Sequence, residues 1–559
     1  MCGIYGCIGN NAYQKVLDGL KKLQYRGYDS CGIAYFNKTF KVEKTVGPLN
    51  NLKIITTDNQ IAFGHTRWAT NGAVTIENAH PHLSYDNEYI IVHNGIIKNA
   101  NIIKQDLIKN NVDFKSDTDT EVIVNYIAYH SKNSSCEKVL KSMLKDLEGS
   151  YSLIIGNKAG DLYLIKKFSP LNLLISDDEI YVSSDISSLK NGELYSLQDN
   201  DIIKISNKHI INLNESKLNF EKHINSTLTQ TLYKHKHFME KEIYETPEAI
   251  KQTYLSIKDV SFNHIFDNYE KFTLIGCGTA YHSCLIGEYL LKETLNKTFE
   301  TILASNYEVT SFIDKKHLHI IVSQSGETAD CIKVAEQIKH NGGKILIITN
   351  EKHSTMAKLA DFHIFTHAEK EIAVASTKTY CCQLFVFAYI CKKLINKNYD
   401  LDINALTNNL KEYINYIQID EIANKLKNID KMILIAKGID YITILEACLK
   451  IREIDYIYTL PMYAGELKHG TLSLIEKGSI VLALNTSLNL NKLDTAKNEI
   501  KSRNGEIIDF SSFVSNKIDL CFKPIYAIIP FQLLSYKISL LNGRNPDMPR
   551  NLAKSVTVE

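Results

Sequence analysis

The sequence lacks a dominant charge: 64 lysines and arginines stand against 63 acidic residues, a formal net charge of +1. This excludes a global electrostatic pull toward nucleic acid or an anionic membrane. It leaves room for a local anion pocket made of a few aimed donors. Among 12 cysteines, no CxxC pairs with a second CxxC or with spaced histidines, so no structural zinc and no other metal is expected. Cys277, Cys284, Cys381, Cys382 and Cys448 lie in apolar or helical stretches, where free buried thiols are usual. The start has no basic segment followed by an apolar core, and no run of about 18 uncharged apolar residues occurs later. A cytoplasmic protein with no nucleic-acid or membrane partner is expected.

At 559 residues the chain is long enough for several cores. Up to residue 215, β-type runs dominate at 32–36, 61–64, 89–93, 151–155, 162–166, 180–183 and 202–205. Helical patterns at 12–24, 99–110 and 120–129 interrupt them, as in a layered α+β domain. A charged stretch follows and reads as a linker entering a helix. Beyond it, apolar strands alternate with amphipathic helices, as in parallel α/β domains. The strands read 272–275, 319–322, 344–349 and 362–365, then 432–435, 479–484, 506–509 and 527–530. Each group opens with a strand, a glycine turn and a helix, which points to a degenerate duplication meeting near 400–428. The expected division is 1–215, a linker at 216–248, one α/β lobe at 249–400 and a second at 401–559 including the tail.

Cys2 follows the initiator Met. Removal of Met1 would give it both a thiol and a free α-amine, whose pKa of about 8 suits a base acting on its own thiol. Four blocks follow: Leu-Gln-Tyr-Arg-Gly-Tyr-Asp-Ser at 23–30, Gly-His-Thr-Arg-Trp-Ala-Thr-Asn-Gly at 64–72, His-Asn-Gly at 93–95 and Ser-Asp-Thr-Asp-Thr-Glu at 116–121. Together with Met-Cys-Gly-Ile they resemble the glutaminase domain of N-terminal-nucleophile amidotransferases, in the glucosamine-6-phosphate synthase family. The resemblance implies an αββα sandwich. It also implies a pocket that clamps zwitterionic L-glutamine, with Arg67 forking the carboxylate and Asp119 taking the ammonium. The Asn94 amide and Gly95 N–H would form the oxyanion hole. Trp68, the only tryptophan, with Thr70 and Tyr28 would line or gate the pocket. Read singly, Arg67 could be a surface ion pair and Asn94–Gly95 a tight turn. Asn71 and Asp117 depart from the family's usual histidine and glutamate, and His80 and His82 read as structural loop histidines.

The segment Val322-Ser-Gln-Ser-Gly-Glu-Thr follows an apolar strand and opens a helix, a phosphate-binding arrangement needing no lysine. Ser323, Gln324, Ser325 and Thr328 are its candidate donors; a helix cap alone would need fewer. The segment resembles the SIS phosphosugar-binding domain. Cys277-Gly278-Thr279 and Val374-Ala375-Ser376 match its other loops, with Ala280 replacing a usual serine. In the second lobe Glu446, Lys450 and Glu453 share one helical face, which alone could be a solvated salt-bridge stripe. The segment from Tyr463 to Gly470 and the apolar tail around Lys554 also match the glucosamine-6-phosphate synthase family.

That family implies fructose 6-phosphate as the second substrate, glucosamine 6-phosphate as product, and no cofactor. In this reading His469 opens the ring, Lys554 holds the open ketose as a Schiff base, and Glu453 moves the proton between carbons. Lys450 stabilises the enolamine and Glu446 orients Lys450. The family's histidine comes from a neighbouring subunit, so a homodimer is implied. Two alternatives stay open: another phosphosugar amidotransferase, and a non-catalytic SIS-type phosphosugar sensor. No Walker A motif supports an ATP-dependent variant.

Overall fold

A computed structural model describes residues 2–55, 59–69, 72–224, 234–310, 312–487 and 490–556. The chain divides into two compact units, with the boundary between residues 230 and 231.

In the first unit, two antiparallel sheets carry the layers. Eight strands are ordered Glu221–His223, Gly192–Ser196, Asn172–Ser176, Glu179–Ser183, Gly3–Ile8, Ile61–Arg67, Ser30–Asn37 and Thr39–Val46. Six strands form the second sheet, centred on Leu162–Lys167 and Gly149–Asn157, with Tyr89–Ile97 beside the latter. The strand Gly3–Ile8 is buried along its whole length because both its faces are covered. Tyr5 and Cys7 pack on the helix Ala12–Leu23, while Ile4 and Ile8 meet the second sheet through Ile90, Val92 and Ile154. The helices Ala100–Lys109, Asp119–Ser131 and Cys136–Asp146 cover the second sheet's outer face. The result is the expected αββα sandwich.

Elements occupy both ends of the stretch read as a linker. Glu221–His223 pairs with Gly192–Ser196, and the helix Phe238–Ile257 packs into the core of the second unit.

The second unit holds two parallel sheets. The first is ordered Thr298–Leu303, Lys271–Gly276, His317–Val322, Lys344–Thr349 and Phe362–Phe365; the second Tyr458–Tyr463, Lys431–Ala436, Ile480–Ala483 and Glu506–Asp509. Both begin with the second strand in sequence lying outside the first, so the duplication extends to strand order. Thr298–Leu303 and Tyr458–Tyr463 are absent from the sequence expectation. Both are half-exposed edge strands, and Pro461 counts against a strand unless it lies at an edge. One hydrophobic core runs through both lobes.

Residues 527–530 are not a strand. They lie in the helix Lys523–Leu541, which is buried on nearly every side. A short apolar run has no visible period when all its faces are covered, so strand and helix look alike in sequence. Pro530 removes the helical bond that the Tyr526 carbonyl would accept, and the Tyr413 hydroxyl donates to that carbonyl at 2.8 Å instead. This helix is long and apolar enough to cross a membrane by length and composition, yet most of it is packed inside the unit.

Candidate active site

In the first unit, Gly3 pairs in register with Thr66, which brings Cys2 to the end of the strand Ile61–Arg67. The Trp68 N–H donates to Cys2 Sγ at 3.3 Å, and the thiol lies 3.5 Å from the Trp68 carbonyl. Burial pushes the thiol up, opposed by the Trp68 N–H and the Arg67 charge. Arg67 is 3% exposed, and its guanidinium donates to the carbonyls of Gly72 and Ala73 at 3.1 and 3.2 Å. It is a buried fork, not a surface ion pair.

Asn94 and Gly95 lie within the strand Tyr89–Ile97, opposite Ser152 and Tyr151, rather than in a tight turn. A Cβ at Gly95 would collide with the Ser150 carbonyl, and its φ of 131° favours glycine. Asn94 Nδ2 donates to the Cys2 carbonyl at 3.2 Å. His65 Nε2 lies 3.1 Å from Asn94 Oδ1 and 3.0 Å from the His93 carbonyl. A proton on Nε2 serves both oxygens and leaves the Asn94 NH₂ facing Cys2. Asp119 begins its helix and accepts the Ile97 N–H at 2.9 Å. The Arg67 charge acts to lower the Cys2 thiol and the Asp119 charge to raise it. Thr70 and Asn71 lie outside the described residues. His80 stacks on His65 with ring centroids 4.0 Å apart, and His82 is 3.2 Å from the Thr118 hydroxyl.

In the second unit, the loop after His317–Val322 turns back on itself. Ser323 Oγ lies 2.9 Å from Thr328 Oγ1 and accepts the Gly326 N–H at 3.1 Å. Thr328 occupies the N-cap position, but its hydroxyl makes no capping bond. Ser325 Oγ lies 2.9 Å from Ser555 Oγ, which joins this loop to the tail. The half-buried Gln324 accepts the Asn350 N–H on its carbonyl. Gly278 enters the helix Thr279–Thr294 with a positive φ of 53° and open space where a Cβ would stand. Cys277 Sγ is 3.9 Å from Cys331 Sγ. In the third loop Val374 donates its N–H to the Asp547 carbonyl, Ala375 is buried, and Ser376 Oγ donates to Glu371 at 2.8 Å.

On the helical face of Glu446, Lys450 and Glu453, the first two are fully buried and Glu453 is half-buried, so the face is not a solvated stripe. Lys450 Nζ is 3.2 Å from Glu446 and 2.8 Å from Glu453. Burial works to raise the Glu446 carboxyl, but Lys450, His282 and Thr279 together hold it below its ordinary value. Burial raises Glu453 despite the nearby charges of Lys450 and Lys554. Lys554 reaches inward from the tail, 5% exposed, and pairs with the fully buried Glu371. His469 stands apart, exposed in a short turn.

The SIS domain family matches twice, at residues 265–391 and 425–520, and a glutamine amidotransferase domain family matches residues 65–191. Two curated relatives named glutamine–fructose-6-phosphate aminotransferase (isomerizing) align with the whole chain over their own full length. The one from Clostridium acetobutylicum is 35% identical over 615 residues, and the one from Pyrococcus horikoshii 36% over 606. The chain belongs to the glutamine–fructose-6-phosphate aminotransferase family. A solved structure, the C-terminal domain of glucosamine-fructose-6-phosphate aminotransferase from Francisella tularensis, is 29% identical with a TM-score of 0.50. It is matched over its whole length and 57% of this chain.

Within this aminotransferase frame, three residues went unassigned in the sequence reading. His65 orients Asn94, His282 Nδ1 lies 2.7 Å from Glu446, and Glu371 binds Lys554. Glu371 follows Glu369 and Lys370 and only precedes the apolar run Ile372 to Ala375, so nothing local sets it apart.

Proposed function

We propose that the chain hydrolyses glutamine at Cys2 and adds the ammonia to fructose 6-phosphate, isomerising the adduct to glucosamine 6-phosphate and releasing glutamate. The observation that carries this reading is the convergence of Lys554, Glu453 and Lys450 beside loops rich in hydroxyls and backbone N–H groups. A simple phosphosugar binder has no need of a buried amine near a raised carboxyl.

In this reading Cys2, its thiol raised by burial, takes its base from its own α-amine once Met1 is gone. Arg67 and Asp119 hold the two ends of glutamine, with Trp68 beside the thiol. Asn94 and Gly95 receive the oxyanion. The loops at 277–279, 323–328 and 374–376 hold the sugar phosphate. Once His469 has opened the ring, Lys554 holds the open ketose as an imine and ammonia takes its place at C2. Glu453, its carboxyl raised by burial, then carries the proton from C1 to C2. Lys450 offsets negative charge on the enolamine, and Glu446 fixes Lys450.

His469 is exposed on its own chain, which supports a homodimer in which a second copy supplies the ring-opening imidazole. All 12 cysteines are free, which fits a reducing cytoplasm. The test is glucosamine 6-phosphate formation from fructose 6-phosphate with glutamine, then with ammonium. Product from neither donor would remove the enzyme reading.

A further inference from the structure

Glu371 is fully buried, and its carboxylate gathers donors from a single loop. Oε1 accepts the N–H groups of Thr377 and Thr379 at 2.9 and 3.2 Å. Oε2 accepts the hydroxyls of Ser376 and Thr379 at 2.8 and 2.7 Å, and the same oxygen pairs with Lys554 Nζ. Burial alone would raise this carboxyl, but the Lys554 charge and the loop donors hold it down to about 2. The resting site is therefore an ammonium–carboxylate pair out of water.

A second carboxyl stands behind the first. Glu242 is fully buried and accepts the N–H of Ala373 at 3.3 Å and that of Ile372, the residue after Glu371. Its other oxygen has no hydrogen-bond partner among the described residues. Burial and the Glu371 charge push Glu242 up to about 8, so it holds a proton at neutral pH. Lys378, the other nearby cation, is paired with Glu245 at 2.8 Å. Glu371 is thus the acceptor in contact with Lys554 and carries the negative charge that faces it.

We propose that Glu371 takes the proton from Lys554 Nζ and returns it during Schiff-base formation, acting as the acid–base partner of that step. The inference rests on the reading of Lys554 as the imine-forming amine. Proton transfer within the pair turns an ion pair into a neutral amine and a neutral acid, a change that a dry pocket favours far more than water does. The Nζ lone pair then bonds to C2, and the carbonyl electron pair moves to oxygen, which takes a proton from the attacking nitrogen. Glu371 gives its proton to the departing hydroxyl, which leaves as water. A protonated imine remains, and the Glu371 carboxylate again faces a cation. Substrate binding helps: a sugar phosphate that engages the Ser376 hydroxyl removes a donor from Oε2 and makes it more basic.

The experiment uses the full chain and two probes. Sorbitol 6-phosphate has no carbonyl and reports binding, while borohydride reduction with fructose 6-phosphate, read by peptide mass, reports imine at Lys554. E371Q should bind sorbitol 6-phosphate as the parent does, yet trap imine at least about 100-fold more slowly. E371D, which keeps the carboxylate, should recover part of the rate. Trapping at the parental rate in E371Q would overturn the proposal. Joint loss of binding and trapping would overturn it too, leaving Glu371 a purely structural anchor. If E371Q fails to fold, E371A is judged by the same pair of measurements: slowed trapping with intact binding supports the role, and unchanged trapping refutes it. A parent enzyme that makes product without trappable imine would instead refute the Lys554 reading beneath it.

Discussion

Thr279, on the first residue of the first lobe's opening helix, donates its hydroxyl to Glu446 of the second lobe at 3.0 Å and accepts from Lys450 Nζ at 3.1 Å. One hydroxyl thus ties the start of a helix in one lobe to the buried Glu446 and Lys450 of the other. Thr279→Ala should cost about 1–3 kcal/mol of stability, because it leaves buried charged groups short of a partner. It should also slow ammonia-dependent amination while glutamine hydrolysis persists. Urea unfolding and the two assays measure this; an unchanged melt would mean that the bond contributes nothing across the lobes.

Lys450 stands between the fully buried Glu446 and the half-buried Glu453. Lys450→Met should destabilise the second unit by about 3 kcal/mol, chiefly because the buried Glu446 loses its lysine. Adding Glu446→Gln should restore much of that loss. A double variant no more stable than the single one would argue against charge as the cause.

Cys2→Ala should abolish amination with glutamine and leave amination with ammonium intact. Intact-mass measurement of active enzyme should show a chain without Met1. Full activity in the alanine variant, or in a population that retains Met1, would contradict the nucleophile assignment.

The first unit should be labile to acid. Burial holds His65 down to about 3, and it lowers His80, His82 and His93 as well. An unfolded chain protonates these rings near pH 6.5, whereas the folded one does not until far lower pH. Below about 6.5 the unfolded state therefore binds more protons, and each histidine removes up to about 1.4 kcal/mol per pH unit as pH falls toward its own lowered value, about 3 for His65. Trp68 is the only tryptophan, so its fluorescence follows this unit. Its urea midpoint should drop from about pH 7.5 to about pH 5.5, and His80→Gln should flatten that slope. A constant midpoint would count against the buried neutral rings.

The layered first unit and the duplicated second were readable because their strands and helices keep clear periods over lengths that local chemistry controls. Tyr89–Ile97 and Lys344–Thr349 were readable in this way, whereas Gly3–Ile8, covered on both faces, was not among the expected strands. The edge strand Tyr458–Tyr463, interrupted by Pro461, was not readable, and neither was the all-round buried helix Lys523–Leu541. Both took their conformation from neighbours rather than from their own pattern.

The same division holds at the site. The amino-acid sequence by itself determined which chemical groups exist and in what order: Cys2, Arg67, Asn94 and Asp119 in one half, and the hydroxyl loops, Glu453 and Lys554 in the other. Only the tertiary structure decided their state. A face of Glu446, Lys450 and Glu453 has the same spacing whether it meets water or another lobe, and the burial of Glu446 and Lys450 alone separates it from a solvated stripe. Glu371 and Lys554 lie 183 residues apart. No local periodicity links them, because an ion pair closed by packing depends on where the chain returns, not on what surrounds each residue in sequence.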